Sequence, residues 1–64
     1  MELSERENEF VRRLAQGRKL GLVDRDEDKA RQKVRRLGLA EVLMNPRRWS
    51  LTANGWAYCN RYNQ

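Results

Sequence analysis

The residues with the clearest chemistry lie between Arg25 and Gly55, and most of them fall in KARQKVRRLGLAEVLMNPRRWSLTANG. At about 100° per residue, Arg25, Lys29, Gln32 and Arg36 fall along one helix face. Ala30, Val34 and Leu37, at i, i+4 and i+7, mark the opposite, apolar stripe. In a major groove Arg pairs bidentately with guanine and Gln with adenine. Lys neutralises phosphate and releases counterions. Arg35 and Asp28 flank the row. Lys33 and Arg31 stand nearer the apolar stripe, where long stems cover apolar neighbours. Further on, Arg47 and Arg48 follow Pro46 at a turn, within reach of a backbone phosphate or a minor groove. The DNA-binding set read from these positions is Arg25, Lys29, Gln32, Lys33, Arg35, Arg36, Arg47 and Arg48. The competing reading is a solvated helix followed by a hairpin that carries charge against aggregation.

These side chains need a helix and a hairpin to hold them. Asp24 is an N-cap with Glu27 three residues on, so a helix is expected over about 25–37. Gly38 then stops it, and Leu39 supplies the apolar contact of a Schellman ending. Ala40 to Met44 is a β-compatible run, 45–48 reads as a turn, and Trp49-Ser50-Leu51 alternates apolar and polar. Together they predict a hairpin with a loop of roughly four residues. Thr52 caps a final helix from Ala53 to about Tyr62. Gly55 inside its first turn costs about 1 kcal/mol relative to Ala, which a close approach to the hairpin backbone would explain.

Upstream, Ser4-Glu5-Arg6-Glu7 is a capping box that opens a helix from about Glu5 to Gln16, ended by Gly17. Glu2, Glu5, Glu7 and Glu9 crowd its positive end, and Arg12, Arg13, Arg18 and Lys19 lie at or beyond the other. Phe10, Leu14, Val11 and Ala15 form its apolar stripe. In the connector GRKLGLV, two glycines break any helix, and Leu20, Leu22 and Val23 are expected to insert into the core as an extended or one-turn element. Trp49 and Trp56 are also expected in the core. Tyr58 and Tyr62 offer a dimer seam on the last helix.

Composition narrows the functions. With 64 residues, the chain is expected to be one domain spanning 1–64. A domain of that size buries only about 60% of the surface its unfolded chain exposes. Its net charge of +5 favours a phosphate polymer as partner. There is no His, and Cys59 is the sole Cys. A structural zinc site and an internal disulfide are therefore excluded within one chain, and Cys59 reads as a small buried hydrophobe. Asp24-x-Asp26-x-Asp28 opens like a calcium loop, but Lys29 follows where that loop needs Gly and the bidentate Glu is missing. No phosphate-cradling Gly loop or activated nucleophile is evident, so no catalytic residue, metal or cofactor is expected. No apolar run approaches the roughly 20 residues of a membrane span, and the start MELSERENEF is acidic and polar. A reducing cytoplasm suits the lone Cys.

The order of basic helix, Gly-Leu, hairpin and W-x-L-T-x-x-G over residues 29–55 resembles the winged helix-turn-helix superfamily. RRLGL followed by W-x-L-T-x-x-G is similar to the short winged-helix proteins of phages and prophages. LSERENEFVRRLAQG also resembles the first helix of LuxR-type response-regulator DNA-binding domains, a likeness that stops at Gly17. A full winged helix-turn-helix has another helix where GRKLGLV stands, so this chain departs from the pattern there. The resemblance implies a minimal winged helix, mostly α with one β-hairpin: helix, short connector, recognition helix, hairpin wing and C-terminal helix. It implies sequence-dependent binding of duplex DNA by a small phage-type transcriptional regulator or recombination accessory protein. The helix at about 25–37 would read the major groove and the wing at 45–48 the backbone, with a homodimer or a partner protein extending the footprint. The alternative is a winged-helix docking module that binds and modulates a host or partner protein. RNA binding would need exposed stacking aromatics.

Overall fold

The computed structural model describes residues 2–62, with side chains through residue 61. Its elements are α1 (Glu5–Gln16), α2 (Arg25–Arg36), β1 (Ala40–Leu43), β2 (Arg48–Leu51) and α3 (Ala53–Tyr62). The layout is mostly helical with one antiparallel hairpin, as the sequence predicts.

Local chemistry sets the helix ends. Ser4 Oγ accepts from the Glu7 amide at 3.2 Å, and Glu7 Oε1 accepts from the Ser4 amide at 2.9 Å, which closes the capping box. Gly17 ends α1 at φ 67°. Asp24 Oδ1 accepts from the Glu27 amide at 2.7 Å and opens α2. At its far end Leu39 N donates to Val34 O (3.1 Å) and Gly38 N to Arg35 O (3.0 Å). This is the Schellman pair, and it needs Gly38 at φ 81°.

The hairpin register pairs Ala40 with Leu51, Glu41 with Ser50, Val42 with Trp49 and Leu43 with Arg48. Because strand side chains alternate, Ala40, Val42, Trp49 and Leu51 share the inner face. The loop is Met44–Arg47, one residue earlier than expected, so Arg48 stands on β2 rather than at the tip. Its side chain projects from the outer face, since Trp49 beside it faces the core. The Asn45–Pro46 peptide is cis.

The core joins Phe10 and Val11 of α1, Val34 of α2, Leu39, Ala40, Leu51, and Tyr58 and Cys59 of α3. Trp49 packs its ring edge-to-face on Phe10, with centroids 5.2 Å apart. Thr52 ties the hairpin's base together. Its Oγ1 donates to Gly38 O at 2.5 Å and accepts from the Gly55 amide at 3.1 Å, and its own amide donates to Leu39 O. Gly55 lies against the chain just before β1. A Cβ there would collide with the Leu39 carbonyl and stand 3.0 Å from Leu51 Cδ2.

Several expectations fail for tertiary reasons. Leu22 is fully exposed and Val23 is 53% exposed; of the connector's apolar residues only Leu20 packs on the core. The space over Phe10 is taken instead by Arg31, whose Nη2 also donates to Gly21 O at 3.3 Å. Leu37 is 37% exposed, because the left-handed turn at Gly38 swings Leu39 inward in its stead. Trp56 is 47% exposed. The buried stripe of α3 is Gly55, Tyr58 and Cys59, at i, i+3 and i+4, and Trp56 stands off it. Tyr58 is buried rather than free for a dimer seam, and its hydroxyl donates to Asn8 Oδ1 at 2.6 Å. The Tyr62 side chain lies outside the described residues.

Candidate nucleic-acid interface

The burial of α2 fixes which of its faces points outward. Ala30, Arg31 and Val34 are buried. The opposite side of a helix at about 100° per residue holds Arg25, Lys29, Gln32 and Arg36. Arg25, Lys29 and Arg36 are exposed, and Gln32 is half-buried. The structure therefore brings these four together on one outward row. Arg35 is exposed beside it. Lys33 is exposed as well but leans toward α1, with Nζ 3.7 Å from Glu7 Oε2. Arg47 and Arg48 are exposed on the hairpin, one in the loop and one on β2.

Charge is graded along α2. Its first turn holds Asp26, Glu27 and Asp28, and its last holds Lys33, Arg35 and Arg36. This order complements the helix dipole. It also puts the cationic end next to the hairpin that follows.

Arg31 differs from the other bases of α2. It is only 5% exposed, donates from Nε to Glu27 Oε1 at 3.2 Å and covers Phe10 at 5.3 Å. Glu27 also pairs with Arg6 at 3.5 Å, which ties α1 to α2. Arg31 is thus a core member, more deeply placed than its boundary position in the sequence predicts.

An open cleft of about 890 Å³ runs between α1 and α2. Arg6, Arg12 and Arg13 of α1 and Lys29 and Lys33 of α2 line it, with Glu5, Glu7, Glu9, Asp26 and Glu27 among them. Such a wall suits charged groups more than an apolar ligand. Sequence reasoning passed over the gathering of Arg12 and Arg13 on Glu9, although the i+3 and i+4 spacings carry that signal. The one cysteine, Cys59, is buried, and that burial pushes its thiol pKa above the ordinary value. Among the described residues no three His, Cys, Asp or Glu side chains are grouped to hold a metal ion, and no helix is long and apolar enough to cross a membrane.

In comparisons with known proteins, no family model, curated protein or solved structure matches this chain.

Proposed function

We propose that this chain binds duplex DNA in a sequence-dependent way, as a small winged-helix regulator or recombination accessory protein of phage type. In this reading α2 enters the major groove, and the hairpin acts as the wing that holds the backbone. One observation carries the reading: the side of α2 opposite its buried residues is a continuous row of Arg25, Lys29, Gln32 and Arg36, followed directly by a hairpin with exposed Arg47 and Arg48. Lys and Arg supply counterion release, while Gln32 and Arg36 supply base-edge hydrogen bonds. The reading assigns the protein no catalysis and places it in the cytoplasm of a bacterial or phage-infected cell.

The test is selection of bound duplexes from a random pool, followed by a salt titration on the selected and on random sequences. Duplex binding gives a recurrent site and a steep linear fall of log affinity with log salt. A flat pool with no affinity at low salt sinks the reading.

A second reading, docking on a partner protein, draws on different residues. Leu22 is fully exposed, Met44 is 68% exposed and Trp56 is 47% exposed. Exposed large apolar groups are what a protein interface uses as anchors. Retention of a protein partner at high salt, with no duplex affinity, selects this reading.

A further inference from the structure

Outside α2 and the hairpin, a dense charge cluster lies along α1 and just past its end. Glu9 is its centre. Arg12 Nη2 donates to Glu9 Oε2 at 3.0 Å, and Arg13 Nε donates to Oε1 at 3.0 Å. Arg18, just past the helix, brings Nη2 to 4.0 Å from the same Oε1 and donates from Nη1 to Gln16 Oε1. Three guanidiniums converge on one carboxylate.

Helix pairing at i, i+3 and i, i+4 brings Arg12 and Arg13 to Glu9. Arg18 joins them from beyond the helix, where no such pairing reaches. Like charges drawn together repel, and a single carboxylate relieves that only in part. The hydrogen bonds from Arg12 and then Arg13 hold the Glu9 carboxyl below its ordinary value. A guanidinium carries five N–H donors, and Glu9 takes one hydrogen bond from each of Arg12 and Arg13. The remaining donors sit on side chains that are one-third to one-half exposed. Guanidinium forks match the oxygens of a phosphate group. The location adds a second argument. Arg12 and Arg13 line the same cleft as Lys29, so the cluster borders one member of the basic row of α2.

We propose that Arg12, Arg13 and Arg18, gathered on Glu9, form a clamp for a phosphate group, and that in the duplex complex it takes a backbone phosphate flanking the groove α2 enters. The identity of the phosphate source rests on the duplex reading above. The clamp widens the protein's footprint from α2 and the hairpin to a third element.

The experiment follows the arginine Nε–H resonances of the ¹⁵N-labelled full chain. Random-sequence duplex is added in one titration and inorganic phosphate in another. In parallel the salt dependence of duplex binding is measured for the parent, Arg12→Gln, Arg13→Gln and Arg61→Gln. Arg61 is exposed on α3 and outside both basic clusters, so its variant controls for the loss of one charge. The proposal expects duplex to move the Arg12 and Arg13 signals together with those of the α2 row. It expects the salt slope to shrink in Arg12→Gln and in Arg13→Gln, by up to about one unit for the single phosphate they share, and by clearly less in Arg61→Gln. Duplex that moves the α2 row but leaves Arg12 and Arg13 in place overturns the clamp while duplex binding stands. Inorganic phosphate that moves Arg12 and Arg13 while duplex moves nothing upholds the phosphate chemistry and overturns the duplex as its source. If neither ligand moves any arginine signal, those of the α2 row included, both the clamp and the duplex reading are lost.

Discussion

The guanidinium of Arg31 stands 5.3 Å from the centroid of the Phe10 ring, so the most buried base of α2 belongs to the core and not to the outward row. It also holds the connector through Gly21 O and the helix through Glu27. Arg31→Ala removes the packing, the cation–π contact and both hydrogen bonds. We expect a loss of about 2 kcal/mol in urea unfolding, in line with other broken buried networks. Salt-slope measurements on the folded variant should match the parent, because no phosphate contact has gone.

The two tryptophans should separate cleanly. Trp49 is half-buried edge-on to Phe10, whereas Trp56 is 47% exposed. Trp49→Ala should cost about 2–3 kcal/mol, somewhat below the roughly 3–5 of a fully buried aromatic. Trp56→Ala should stay within about 0.5 kcal/mol of the parent. Thermal melts of both variants, with duplex and protein binding measured on Trp56→Ala, check this. An equal loss of stability in the two would contradict the packing.

Gly55→Ala should destabilise the protein, against the usual direction of a helical Gly-to-Ala change. Helix propensity favours Ala by about 1 kcal/mol. The new Cβ, however, meets the Leu39 carbonyl, which is itself fixed by the Thr52 amide. Forced overpacking costs about 1–3 kcal/mol or more, so a net loss is expected in urea unfolding. A stabilised variant would mean that α3 slides freely on the hairpin.

Binding variants should divide by role. Gln32→Ala and Arg36→Ala should each cost about 1–3 kcal/mol on the selected duplex and relax sequence choice. Replacing Arg47 and Arg48 with Ala should weaken specific and random duplex by similar factors, because phosphate contacts position without reading sequence. Competition assays with selected and scrambled duplexes distinguish the two patterns. Parent-like binding by all four substitutions would remove α2 and the hairpin from the interface.

The helix ends were legible because their chemistry is local. Ser4 with Glu7, Asp24 with Glu27, Gly17 and Gly38 each act within a few residues, and all four appear where the sequence puts them. The outward row of α2 was legible through its period. Burial decided by distant partners was not. Arg31 looks like a surface base until Phe10 and Gly21 are placed beside it. The α3 stripe was misread because one of its members is Gly55, which carries no apolar signal and left Trp56 to stand in for it. Lys33 reads as part of the free basic set until α1 brings Glu7 to it.

The hydrogen bonds from Thr52 to Gly38 O and Leu39 O fasten the hairpin at its root, where α2 ends and α3 begins. Beyond Leu43 and Arg48 the chain has no duty to the core. The segment is therefore a replaceable cassette, and its length sets reach independently of folding. Doubling a loop's length costs only about 0.6 kcal/mol in closure entropy. The tip is therefore open to lengthening or recharging, which would change what it touches while the helices beneath keep their arrangement.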